Sequence, residues 1–182
     1  MKKLIVAILF VVVLVAGCAQ QKPVTELTIP GHGSEVYTFS NDIRESLKVK
    51  TNDPQGIKDI GLQLERINIV FNGSSKQDNG YFSAVLIGLI NKVSLYYAYE
   101  GRVIYFDSYY FLNDTWYNST NEVIEKPVFS GTVLWLVGPS SANETSLTLI
   151  NNTIYMRGAD YKGLTLASDK LVLLLFGIEK ID

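Results

Sequence analysis

Residues 67–80, INIVFNGSSKQDNG, decide how this chain is read. Ile67 to Phe71 is a short apolar run of strand length, rich in β-branched residues and closed by a turn-forming segment, the pattern of a largely buried strand. After the polar loop Asn72 to Gly80, apolar residues recur at 82, 85, 86, 89, 93 and 96. That spacing predicts a helix over 81–97, capped at its start by Asp78 or Asn79 and ended at Gly101. Residues 102–111, RVIYFDSYYF, are β-branched and aromatic and supply the next strand. Strand, helix, strand is the βαβ unit of an α/β sheet.

The same logic extends outward. TVLWLVG, residues 132–138, is a continuous apolar run before Gly-Pro, expected as a central strand covered on both faces. TSLTLI and TIYMR flank Asn151-Asn152, a β-hairpin signal because Asn tolerates positive φ. Leu164, Ala167, Leu171, Leu174 and Ile178 mark one face of a C-terminal helix, with Asp160 in capping position. Toward the N-terminus, EVYTFS (35–40) suggests a strand and 42–47 a helical turn or two. Asp53-Pro54 opens a helix running to about Arg66. The expected fold is therefore α/β or α+β: one domain over residues 34–182, a mixed sheet with helices packed on it, and a C-terminal β-hairpin plus helix. Residues 18–33, with Gln, Pro and Gly and few apolar positions, are expected to be a linker.

Met1-Lys2-Lys3 and the uncharged run 4–17, LIVAILFVVVLVAG, have the build of a secretory signal peptide, shorter than the ~20 residues of a spanning helix. Val15-Ala16-Gly17-Cys18 resembles the lipobox of prokaryotic lipoproteins. The resemblance covers residues 1–18 only. It implies removal of residues 1–17, a diacylglyceryl group on the Cys18 sulfur, and attachment to the extracytoplasmic face of the membrane, since two acyl chains hold firmly where one does not. An uncleaved anchor with a free Cys18 is the other reading.

Removal of residues 1–17 leaves 165 residues and takes the net charge from −2 to −4, because Lys2 and Lys3 leave with the signal. A mildly acidic chain without a basic run argues against nucleic acid as a partner. One cysteine allows no internal disulfide, so stability must come from packing. Asn72, Asn113, Asn118, Asn143 and Asn151 each open an N-x-[ST] sequon, in segments that read as loops or turns. Lipobox and sequons together suggest an archaeal-like surface glycoprotein.

Candidate chemistry is sparse. His32, the only histidine, lies in PGHG outside the expected core, which argues against Ser–His–Asp or Cys–His catalysis and against a His-rich metal site. The loop after Phe71 offers Ser74, Ser75, Lys76 and Asp78 at a helix start, although the GxxxxGK[ST] order of a phosphate loop is absent. Ser140 and Ser141 follow the other apolar strand. If the two strands are neighbours, both loops open on the same sheet edge and form one pocket. Eight of the eleven tyrosines fall between Tyr81 and Tyr117. Of that aromatic cluster Tyr109, Tyr110, Trp116 and Tyr117 are expected to be the exposed members, because a loop-like polar run follows. Exposed rings stack on sugars; buried ones are ordinary core. No cofactor pattern is present, and the carboxylates are scattered.

The function expected from these features is an extracytoplasmic binding or interaction protein of the cell envelope. It is tethered to the membrane through lipid on Cys18, engages an envelope protein, glycan or small solute, and is not an enzyme. A carboxylate-dependent hydrolase and a scaffold subunit of a surface layer are the alternatives.

Overall fold

The computed structural model describes residues 22–181. The expected signal segment and Cys18 lie outside the described residues. In chain order the elements begin with β1 (Glu26–Thr28), β2 (Val36–Thr38), α1 (Ile43–Leu47), β3 (Lys50–Thr51) and α2 (Pro54–Gln63). The βαβ unit follows as β4 (Arg66–Asn72), α3 (Lys76–Tyr99) and β5 (Tyr105–Leu112). Then come β6 (Thr115–Asn118), β7 (Val123–Ile124), β8 (Thr132–Val137), β9 (Ser146–Ile150), β10 (Thr153–Arg157) and α4 (Tyr161–Leu175). The architecture is a mixed α/β single domain ending in a strand pair and a helix, as the patterning predicts.

Eight strands form one sheet in the order β3-β9-β10-β8-β4-β5-β6-β7. β10, β8, β4 and β5 run parallel at its centre; β9, β6 and β7 join by antiparallel pairing. The strand alternation sorts residues cleanly. Ile67, Ile69, Leu134, Leu136, Ile154 and Met156 share one buried cluster with Phe82, Val85, Leu89 and Val93 of α3 and with α4. Val70 and Val133 are buried yet stand outside that cluster, because they point to the other face. α4 is the centre of the helix layer: α1, α2 and α3 all pack on it, and Leu164 through Leu174 carry its buried apolar positions. The Tyr97 hydroxyl lies 2.8 Å from the Gly61 carbonyl and 3.1 Å from that of Leu175, joining three helices. A Cβ on Gly61 would come within 2.6 Å of the Leu175 carbonyl, so only glycine lets α2 approach α4 this closely.

The TVLWLV strand is buried toward both faces, as expected, but helices supply the cover on only one of them. The second face is closed by large side chains. Trp135 meets Tyr155, Phe111 and Trp116 at ring-centroid distances of 6.1, 5.8 and 6.5 Å. Beneath this aromatic layer Val70 is fully buried.

The segment 125–131 completes the covering. β7 and β8 are parallel, and β7→β8 moves along the sheet in the opposite sense to β4→α3→β5. A right-handed connection must then pass over the opposite face. Phe129 accordingly rests on Tyr109 (5.4 Å) and Trp116 (6.3 Å). Asn68, in the middle of β4, donates to the Ser130 carbonyl at 2.6 Å and is satisfied although buried.

Three local expectations differ from the structure. α3 starts at Lys76 because the Ser75 side chain accepts from the Asp78 N–H at 3.1 Å, so Ser75 is the cap rather than Asp78 or Asn79. The polar run after Phe111 holds β6 and β7: Asn113 and Asp114 both take positive φ (48° and 61°) and close a two-residue hairpin.

The stretch 22–33, expected as part of a linker, is instead built into the domain. β1 pairs with β2, and Val24, Leu27 and Ile29 pack on the core. Gly31 and Gly33, with φ of +93° and +63°, turn His32 inward, where it is 2 % exposed. Its Nδ1 lies 2.8 Å from the Tyr37 hydroxyl and its Nε2 3.0 Å from Glu100 Oε1, with Tyr96 and Tyr99 against the ring. His32 is thus a buried clasp between this segment and the end of α3.

Candidate functional site

β4 and β8 are adjacent and parallel, so the loops after them open on the same edge of the sheet. The pocket inferred from the sequence is there: a cleft of about 380 Å³ lined by Asn72, Ser74, Ser75, Asp78, Ser140 and Ser141, with Phe82, Phe111 and Trp135 as its aromatic surface. It lies at the carboxyl ends of the central strands, where open α/β sheets bind ligands.

Each polar group has a local reason to be there. The Asn72 Oδ1 accepts from the Ser74 N–H at 2.9 Å and from the Ser74 hydroxyl, an Asx turn that folds the loop back from β4. Ser75 caps α3. Asp78, in the first turn of α3 and 4 % exposed, accepts from the Ser140 N–H at 3.3 Å and from the Ser140 hydroxyl. It therefore ties the helix start to the loop after β8. Gly138 makes that approach possible, since a Cβ there would lie 2.5 Å from Asp78 Cγ. The N-terminal end of α3 adds a positive partial charge beside the carboxylate.

The expected site residues divide. Ser74, Ser75, Asp78, Ser140 and Ser141 come together in the cleft, whereas Lys76 is exposed and is not among its lining residues. Tyr109, Tyr110, Trp116 and Tyr117 are half-buried rather than exposed, and strand alternation places them on different faces. Tyr110 and Tyr117 stack on each other (4.9 Å) on the side of Phe71. Tyr109 and Trp116 belong to the helix-free face. Among the lining residues absent from the expected set are the strand aromatics Phe111 and Trp135. Both sit in apolar strand runs that read simply as core, and only the register Asn72↔Phe111 and Val70↔Trp135 shows that they meet at the cleft.

Asn72, at the end of β4, and Asn113 and Asn143, following β5 and β8, all lie at this edge, and each is exposed. Asn151 lies at the opposite edge in the β9–β10 turn, with φ of +53°. The Asn118 Nδ2 donates to Glu122 Oε2 at 2.8 Å.

A second cleft, about 630 Å³, opens at the amino ends of the central strands, lined by Arg66, Arg102, Tyr105 and Asn152 among others. Its cations are already engaged. Arg66 pairs with Asp107, and Arg102 donates to the carbonyls of Leu64 and Gly61 at the end of α2. The smaller volume, with its convergent hydroxyls and aromatic surface, is the better-built site. Among the described residues no group of three or more His, Cys, Asp or Glu side chains is placed to hold a metal ion. Comparison with protein-family models, curated proteins and solved structures finds no match to this chain, so the cleft is read from its own chemistry.

Proposed function

We propose that this chain is a lipid-anchored, extracytoplasmic binding protein of the cell envelope, and that its cleft holds a hydroxyl-bearing ring ligand, a sugar of an envelope glycan. One observation carries the reading. The same cleft combines aromatic surface from Phe111 and Trp135 with the hydroxyls of Ser74, Ser75, Ser140 and Ser141 and the carboxylate of Asp78. A sugar ring offers an apolar face that stacks on an aromatic side chain and hydroxyls that need directional partners. The anchor part of the reading is supported by the signal run and the lipobox resemblance at Val15–Cys18.

A hydrolase is less well supported. Glycoside hydrolysis takes two facing carboxyl groups. Asp78 is the one carboxylate lining the cleft, and Ser140 already occupies it. A glycan on Asn72, which lines the cleft, would crowd its mouth.

The test is saturation-transfer NMR and tryptophan fluorescence with size-fractionated fragments of the source organism's envelope polysaccharide. Binding is expected, weakened about tenfold by Trp135→Ala, equivalent to about 1.4 kcal/mol, and less by Ser141→Ala. Absence of binding to every fraction overturns the sugar reading.

A further inference from the structure

A tether's length fixes how a domain sits on its membrane, and here the tether is short. Residues 22 onward are docked: the Lys22 carbonyl accepts from Arg44 Nη2 at 2.9 Å, the Val24 carbonyl from the Ile43 N–H at 2.8 Å, and the Thr25 carbonyl from the Phe39 N–H at 2.8 Å. From Cys18 to Lys22 the chain takes four residue steps, a span of at most about 14 Å when fully extended.

Lys22 emerges on the helix side. Arg44 belongs to α1, which packs on α4, and Phe39 lies under Lys92 of α3, with the ammonium 5.3 Å from its ring centroid. The helix-free face of the sheet is separated from this exit by the sheet and a helix layer about 10–12 Å across.

The same helix layer offers a surface that suits a bilayer. α3 buries Phe82, Val85, Leu89, Val93 and Tyr97, so its opposite side faces directly outward. That outward stripe is exposed at Ser83, Ala84, Ile87, Asn91 and Ala98 and carries no charge from Ser83 to Ala98; exposed Lys76 stands on the same line at the helix start, and Ile87 is 64 % exposed. Of the charged residues of α3, Asp78 is buried in the cleft and Lys92 is turned over Phe39, which leaves Lys76, at the helix start, as the one cation on the stripe, where it suits an anionic headgroup. The uncharged part meets lipid headgroups without desolvating an ion. α3 is long and apolar enough to cross a membrane by length and composition only, and its inward face is core, which fits a helix lying along a surface and not a span.

We infer that the helix layer, led by the outer stripe of α3, rests against the lipid bilayer, and that the helix-free aromatic face points away from it. The inference rests on the anchor at Cys18 proposed above. The domain is then apposed to the membrane instead of being held off it.

The test uses the full-length protein, extracted from its own membranes and reconstituted in phosphatidylcholine–phosphatidylglycerol vesicles containing a headgroup nitroxide lipid. A fluorophore is placed on Ile87→Cys of α3 or on Ile150→Cys of the opposite face; both positions are exposed. Lipidation of Cys18 leaves the introduced thiol as the one site of labelling, and intact mass reports that lipid directly. Several-fold stronger quenching at 87 than at 150 is expected, relieved when a fifteen-residue Gly/Ser segment is inserted between Gln21 and Lys22. Equal or reversed quenching, with lipid present by mass, overturns the apposition and leaves the anchor standing. An unlipidated Cys18, with protein that does not float with the vesicles, overturns the anchor and the apposition together.

Discussion

The two faces of the eight-stranded sheet are closed by different means. On one, a layer of four helices centred on α4 packs on the strands, and apolar side chains from both layers share one core; Leu164, Ala167, Leu171, Val172, Leu173 and Leu174 are fully buried. On the other, no helix is present among the described residues, and Trp135, Phe111, Trp116, Tyr109 and Phe129 cover Val70 themselves. A two-layer interior excludes water because each layer screens the other. A single layer of large rings does the same for the backbone beneath it while leaving its own outer edges half-exposed. The difference separates stability from recognition: the first face holds the fold together, and the second brings aromatic surface to the rim of the cleft.

The comparison breaks most readily at its strongest point. Leu171→Ala in α4 should cost about 2–5 kcal/mol, as a fully buried leucine replaced by a cavity does, measured by urea unfolding. Trp135→Ala should cost less, about 1.5–3 kcal/mol, because part of the ring already faces water, and it should lose ligand as well. If Trp135→Ala were the more destabilising of the two with binding intact, the aromatic layer would be a second core and not a binding wall.

The pH response sharpens the contrast next, because the buried ionisable groups sit on the helix side. Burial pushes the Asp169 carboxyl above its ordinary range, against the opposing effects of the Asn41 hydrogen bonds and of Lys92. Burial likewise draws the Lys92 ammonium below its ordinary range. A carboxyl raised in the folded state binds its proton more tightly there than in the unfolded chain. Its stabilising contribution is complete below about pH 3.9 and is lost as pH rises through the folded value. Asp169→Asn, which keeps an acceptor for Asn41, should remove that downward slope from a stability-versus-pH curve; an unchanged slope would place its origin elsewhere.

The smallest effect is expected on the helix-free side. Arg66 and Asp107 pair with side chains 39 % and 37 % exposed. Asp107→Asn should therefore change unfolding free energy by no more than about 1 kcal/mol, less still at high salt. A larger loss would show that this pair closes the end of the sheet.

Much of this was legible in the residues, for identifiable reasons. β4, α3, the β9–β10 hairpin and α4 were readable because periodicity and capping act within a few neighbours: Asp160 accepts from the Gly163 N–H at 2.6 Å, and Asn151 takes the positive φ its turn needs. The cleft was readable as a conditional, two loops that converge if two strands are adjacent. The β5–β6 turn was not, since Asn113-Asp114 lacks the glycine that marks such hairpins. The segment 22–33 reads as linker because it is polar in composition, whereas its order comes from partners outside it, Thr25 from Phe39 and His32 from Glu100.

What the sequence by itself determined is the set of elements, their apolar faces and the residue types available for chemistry, because these follow from local sterics and from the period of burial. Which face of the sheet received helices, which strands became neighbours, and which aromatic rings reached the cleft rim were decided by the tertiary structure. Strand order and crossover hand are properties of contacts between residues far apart in the chain, and an apolar run such as TVLWLV looks the same whether a helix or a tryptophan covers it.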